Sequence, residues 1–198
     1  MNYLAHLLLS PPDAAFRVGN LLPDLLRQPE VERFEGAFRL GIERHRWIDT
    51  FTDSHPTVRA SRQRLWPQFR RFSGVIVDIV YDHCLIARWD AYCDQPVEAF
   101  VEEIHRSLPP LRAQLPERTF AHLEALTQWR WIGSYREIEG VAMAIERVGR
   151  RLRRPLEFPG LHAALAANRA GFLDDFDRFF PELAAAITAV EQRGRPAI

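Results

Sequence analysis

Apolar residues recur every three to four positions along most of this chain, and prolines separate the stretches in which they do so. A short helix is expected over residues 2–9, ended by Pro11, Pro12 and Asp13. A turn at Gly19-Asn20 then precedes a second short helix over 21–26, where Pro23 suits a first-turn position. Phe34, Phe38, Ile42 and Ile48 carry a longer helix over 31–52. Asp53-Ser54-His55-Pro56 breaks that helix and starts the next, which runs to Phe69. A helix over 75–91 is so apolar that a central, buried position is expected for it. Further helices are expected over 97–107, 116–129, 135–150, 161–170 and 172–192. No alternating apolar run is bounded by the Asn-Gly or Asp-Gly pairs of a hairpin. The pattern predicts an all-α protein, a single-domain helical bundle over residues 1–198.

Composition narrows the class without naming a function. A chain of 198 residues, 47% hydrophobic and 26% charged, is long enough for one domain with a real core. The formal net charge is +0, so nothing global draws the chain toward nucleic acid or membrane. Lysine is absent, so all 26 basic side chains are arginines, which grip phosphate and carboxylate in a bidentate way. Cys84 and Cys93 make no disulfide framework and no zinc ribbon, and a reducing cytoplasm fits them. The apolar start lacks the basic flank of a signal peptide, and no run reaches the roughly 20 apolar residues of a membrane helix.

Several polar residues stand out against this background. His45 and Asp49 lie one helical turn apart and so share a face. Asp78 and Asp82 repeat that spacing in the most apolar helix, with His83 beside them. Acids buried in such a helix are rare unless paired or bound to metal. His6 sits among leucines, and Asp24 lies between Leu22 and Leu25. Histidine and carboxylate converging from several helices suit manganese, iron or zinc, as in bundle-core metal sites. Ordinary readings compete. A His/Asp pair at this spacing is commonly a surface hydrogen bond, His6 could be a satisfied core histidine, and Asp24 or His55 could cap a turn or a helix. His105, His122 and His162 fall in plain amphipathic patterns and read as structural or surface residues.

At these residues the sequence resembles the bacterial acyl carrier protein phosphodiesterase family. The matching blocks are Met1-Asn2-x-Leu4-Ala5-His6-Leu7, Gly19-Asn20-x-x-x-Asp24, and Gly41-Ile42-x-x-His45-Arg46-x-Ile48-Asp49-x-Phe51-Thr52-Asp53-Ser54-His55-Pro56. They continue with Arg70-Arg71, Gly74-x-x-x-Asp78-x-x-Tyr81-Asp82-His83 and Phe179-Phe180-Pro181-Glu182-Leu183. The resemblance implies a helical, metal-dependent phosphohydrolase of the His-Asp (HD) class. The implied reaction is hydrolysis of holo-acyl carrier protein to apo-carrier protein and 4′-phosphopantetheine. The implied ion is manganese, with magnesium or iron as alternatives. This chain departs from the class in one respect: it has no His-Asp dipeptide, and the nearest element is the reversed Asp82-His83.

Spacing and family blocks together nominate His45, Asp49, Asp78, Asp82, His6 and Asp24 as metal ligands. His83 or His55 would serve as general acid, and Arg46 would hold a phosphate oxygen or orient a carboxylate. An acidic carrier protein calls for arginines beside the site. Arg59, Arg62, Arg64, Arg70 and Arg71 form one basic stretch, and Arg147, Arg150, Arg151, Arg153 and Arg154 another. The plain reading of either stretch is a solvated helix face. Two other functions remain open at this point: a helical phosphohydrolase acting on a nucleotide or another small phosphoester, and a helical binding protein without activity. Neither nucleic acid nor membrane is expected as a partner.

Overall fold

The computed structural model describes residues 3–128, 132–152 and 154–192. Met1, Asn2, Trp129 and Arg153, on which the sequence analysis drew, lie outside the described residues. Those described contain helices and turns and no strand, in agreement with the all-α expectation. In chain order the helices are α1 (Tyr3–Leu8), α2 (Ala14–Gly19), α3 (Leu22–Leu25), α4 (Gln28–Val31), α5 (Gly36–Ser54) and α6 (Pro56–Phe69). They continue with α7 (Ser73–Ala87), α8 (Val97–Ser107), α9 (Glu117–Leu126), α10 (Ile138–Arg151) and α11 (Leu161–Gln192). Among the described residues no helix is long and apolar enough to cross a membrane.

Helix α7 is the centre of the bundle. It packs against α1, α6, α10 and α11, which surround it. Ile76, Val77, Val80, Tyr81, Cys84 and Leu85 are each almost wholly removed from solvent. Each such aliphatic side chain contributes about 1.5–3 kcal/mol relative to an exposed one. The expected central helix is therefore present, although it ends at Ala87 and the three residues Trp89–Ala91 form a separate 3-10 turn.

Other boundaries differ from the sequence pattern for identifiable reasons. The helix expected over 31–52 does not begin at Val31, which instead closes the short α4. Gly36 takes a left-handed backbone (φ 59°) that only glycine adopts without cost, and α5 starts there. Helix α2 was not expected at all. Asp13, read as part of a break, caps it by accepting from the Phe16 N–H at 2.7 Å. The two last helices expected on either side of Gly171 are one helix, α11, which runs through both Gly171 and Pro181. At Gly171 the guanidinium of Arg64 on α6 approaches so closely that an added Cβ would lie 3.0 Å from it. The glycine thus serves a close approach between helices and not a break.

A very close helix contact joins α2 to α5. A Cβ on Gly19 would fall 2.2 Å from the Phe38 carbonyl oxygen, and one on Gly41 would fall 2.1 Å from that of Phe16. Both obstacles are backbone, so neither can swing aside. The two glycines let the helix backbones touch, and this contact fixes the position of Asn20, the residue that ends α2. Gly41→Ala should therefore cost about 1–3 kcal/mol of stability. Urea denaturation followed by circular dichroism measures the loss, and an unchanged midpoint would mean that α2 can step away freely.

Candidate metal centre

Two helices bring three polar side chains together, and a third helix sets an aspartate beside them. Helix α1 supplies His6, α3 supplies Asp24, and α5 supplies His45 and Asp49. Ligand atoms of His6, His45 and Asp49 lie within 4.8 Å of one another. His45 Nε2 is 3.1 Å from Asp49 Oδ2 and 3.7 Å from Asp24 Oδ1. His6 Nε2 is 3.4 Å from Asp49 Oδ1. The two imidazole rings stack with centroids 4.3 Å apart, so their Nε2 edges face the same way.

Asn20 determines what those edges present. Its side-chain amide donates to the His6 carbonyl at 2.9 Å and to Ser10 Oγ at 2.8 Å. Those two acceptors fix the amide orientation, so Asn20 Oδ1 is the atom facing His6 Nδ1 at 2.9 Å. The backbone carbonyl of Asn20 takes up His45 Nδ1 at 2.8 Å. Both Nδ1 atoms must therefore carry hydrogen and donate. In a neutral ring the lone pair is then on Nε2, aimed at Asp49.

A lone pair aimed at a carboxylate is unfavourable unless a cation intervenes. His6 Nε2 is fully buried and makes no hydrogen bond. Burial holds the His6 pKa below its ordinary value, so a proton does not readily fill the gap. Burial also pulls His45 down, but Asp49 and Asp24 outweigh it and leave His45 raised. Burial opposes charge on Asp49, yet the two imidazoles hold its carboxyl well below the usual carboxylate range. Two imidazole nitrogens with carboxylate oxygens, outer nitrogens already held by a second set of hydrogen bonds, are the ordinary donor set of a manganese, iron or zinc ion. The donors fit such an ion. With Asp24 and Asp49 side chains 37% and 39% exposed, the cluster opens to solvent on one side.

The sequence profile of the acyl carrier protein phosphodiesterase family matches residues 1–183. The chain belongs to this family. Among relatives so named, that of Pectobacterium atrosepticum is 31% identical over 186 residues, covering 92% of this chain and 95% of the relative. That of Photorhabdus laumondii is 29% identical over 184 residues, covering 91% and 92%. The Yersinia pestis relative is 29% identical over 187 residues, covering 92% and 95%. No solved structure matches the chain at a comparable level.

Within this acyl carrier protein phosphodiesterase family member, the remaining expected site residues fall elsewhere. Asp82 is fully buried and accepts from the Leu4 and Ala5 N–H groups at 3.0 and 3.2 Å. It thereby anchors the first turn of α1, two residues before His6. Asp78, one turn earlier on α7, is partly buried, lies 3.9 Å from Arg62, and has its pKa raised, by burial first. The negative charge of Asp49 adds to that rise. His83 faces away, toward the Tyr135 carbonyl at 2.7 Å and Arg169 at 3.3 Å. His55 caps α6, lies between Phe51 and Phe179, and pairs with Glu182 at 3.2 Å. Arg46 pairs with Glu32 and Gln28 beside α4. Arg62 is paired with Asp53, whereas Arg59, Arg70 and Arg71 are exposed.

Two residues of this neighbourhood carried no weight in the sequence. Asn20 read as a turn residue, although its place in the block with Asp24 was a signal. His122 read as a surface residue of α9, yet it is half-buried and lines a cavity of about 420 Å³ together with Asp24.

Asp82 also generates a pH dependence. Burial pushes its carboxyl from 3.8 up to about 7, against the two N–H groups that lower it. A group raised on folding stabilises the fold below its unfolded pKa, and that contribution is lost as pH rises through the folded value. Metal-free protein should therefore lose more stability between about pH 4 and pH 7 than does Asp82→Asn, which has no carboxyl to ionise. Urea midpoints across that range measure the difference, and parallel curves would remove Asp82 as the source.

Proposed function

We infer that this chain is a phosphodiesterase that hydrolyses the 4′-phosphopantetheine group from holo-acyl carrier protein, leaving apo-acyl carrier protein. We further propose that the reaction depends on a divalent ion, manganese in the first place, held by His6, His45, Asp49 and Asp24. The observation that carries the metal reading is the buried Nε2 of His6, unpartnered and directed with His45 Nε2 at one carboxylate. A bound divalent ion would supply Lewis acidity toward the phosphate and a water of lowered pKa.

The chain's own residues do the rest. Asn20 holds both imidazoles in the tautomer that leaves Nε2 free of hydrogen. Asp82 holds α1 in register by its first turn and so positions His6. Asp24 and Asp49 carry negative charge to the open side of the cluster, where a phosphodiester could approach. His83 and His55 are engaged elsewhere, His83 by the Tyr135 carbonyl and Arg169 and His55 by Glu182.

The open side of the cluster supports a substrate that protrudes from another protein over a nucleotide enclosed in a pocket. Arg59, Arg70 and Arg71 are exposed and suit the docking of an acidic carrier protein. Neither cysteine is disulfide-bonded, which fits a cytoplasmic setting.

Purified protein incubated with holo-carrier protein and manganese should convert the carrier to its apo mass. An unchanged mass across manganese, magnesium, iron and zinc would overturn the reading. His45→Ala and Asp49→Ala should abolish turnover with the helical circular dichroism signal intact. Asn20→Ala keeps the backbone contact to His45 and loses the side-chain bonds to the His6 ring, the His6 carbonyl and Ser10, so manganese affinity should fall about 10–100-fold. Equal affinity in Asn20→Ala and the unmodified protein, read by calorimetric titration, would remove Asn20 from this role.

A further inference from the structure

The candidate metal cluster has a neighbour that the ligand set leaves unexplained. The cavity of about 420 Å³ beside Asp24 is also lined by Arg118, Thr119 and His122 at the start of α9. A second cavity, of about 750 Å³, lies between α9 and α10 and shares Arg118 and His122 with the first. The two cavities adjoin at Arg118 and His122, and together they run from Asp24 along α9. From Arg118 to Leu126, where α9 ends, the helix advances about 12 Å.

The make-up of the groove is distinctive. Ala121, Ala125 and Leu126 of α9 and Met143 and Ala144 of α10 give it an apolar lining. Met143 is 54% exposed and offers its side chain to the groove. Arg147 and Arg151 stand along the α10 side, and His122, Ser134 and Gln128 supply isolated hydrogen-bonding groups. Small side chains stand on both walls, and the volume of each cavity lies within the ~300–1,000 Å³ of small-molecule clefts.

We propose that this groove receives the pantetheine arm of the substrate, with the phosphate at the Asp24 end and the thiol end between α9 and α10. The proposal rests on the phosphodiesterase reading above. When the phosphodiester is cleaved at the cluster, the arm must leave the phosphate in some direction, and the groove opens at a member of that cluster. The arm is a thin, unbranched chain after its dimethyl carbon, neutral apart from the phosphate, with methylenes interrupted by two amides. Methyl and methylene groups match the alanine and methionine walls. The amides match sparse polar groups on the rim. The extended arm is comparable in length to the run of α9 that borders the groove.

Ala121→Trp and Ala125→Trp test this at exposed helical positions where bulk fills the groove and leaves the core untouched. Each should raise KM for holo-carrier protein about tenfold or more, and each should weaken binding of free pantetheine, which has no phosphate, by a similar factor. Ala167→Trp, exposed on α11, serves as the control and should change neither. Unmodified protein that hydrolyses holo-carrier protein while both groove variants keep its KM and its pantetheine affinity would overturn the groove assignment. Unmodified protein that fails to hydrolyse holo-carrier protein yet binds pantetheine, with binding lost in both variants, would overturn the phosphodiesterase reading and leave the groove standing.

Discussion

The arrangement around the cluster depends on one asparagine. Asn20 engages His6 with its side chain and His45 with its backbone, and its own amide is oriented by the His6 carbonyl and Ser10. Both rings are thereby locked in one tautomer and one orientation, which no contact between the rings could achieve alone. Asn20 can do this only because α2 lies directly on α5. Gly19 and Gly41 permit that approach, so a packing contact between backbones sets the chemistry of two imidazoles. The family block Gly19-Asn20-x-x-x-Asp24 and the Gly41 that opens the next block thus describe one object: a close helix contact, the clamp at its end, and a carboxylate one turn further on.

A second constraint comes from the central helix. Burying a carboxylate in the apolar α7 is unfavourable, and Asp82 offsets part of that by accepting two backbone N–H groups at the start of α1. The helix start gains acceptors for groups that have no partner within the helix, and favours negative charge besides. A six-residue helix has little stability of its own, so this anchor matters for where His6 ends up. The same use of buried charge recurs at Asp175 on α11. Ser61, Arg64 and Arg178 all bond to it, and Ser61 also meets the Tyr81 hydroxyl. The polar residues inside this bundle are thus of two kinds: a few that face an opening, and others that fix helices to one another.

The sequence distinguished these kinds only in part. Periodicity was enough for the all-α class, for the central position of α7 and for the break at His55-Pro56, because each depends on local preference. It missed α2, whose six residues are too few to display a period, and it cut α11 at Gly171, where the reason for glycine is a neighbour's guanidinium and not a turn. The pairing of His45 with Asp49 was legible from their spacing. The joining of His6 and Asp24 to that pair was legible only as a family pattern, since it depends on how three helices meet. Asp78 and Asp82 carried the strongest suspicion of burial; Asp82 is fully buried and Asp78 partly so. Spacing could not tell whether a buried acid is turned to an ion or to a helix end, because that depends on α1, far away in sequence.

The two histidines of the cluster come from beneath, held by Asn20 and shut off from solvent, while Asp24 and Asp49 are more than a third exposed. A divalent ion seated there would be gripped on its buried side and keep coordination positions on its exposed side. A phosphodiester carried on the surface of another protein can reach only such an exposed side. The deep, hydrogen-bonded half of the cluster and its shallow, carboxylate half are therefore complementary requirements: rigidity where the ion would be fixed, and access where a large substrate would have to approach.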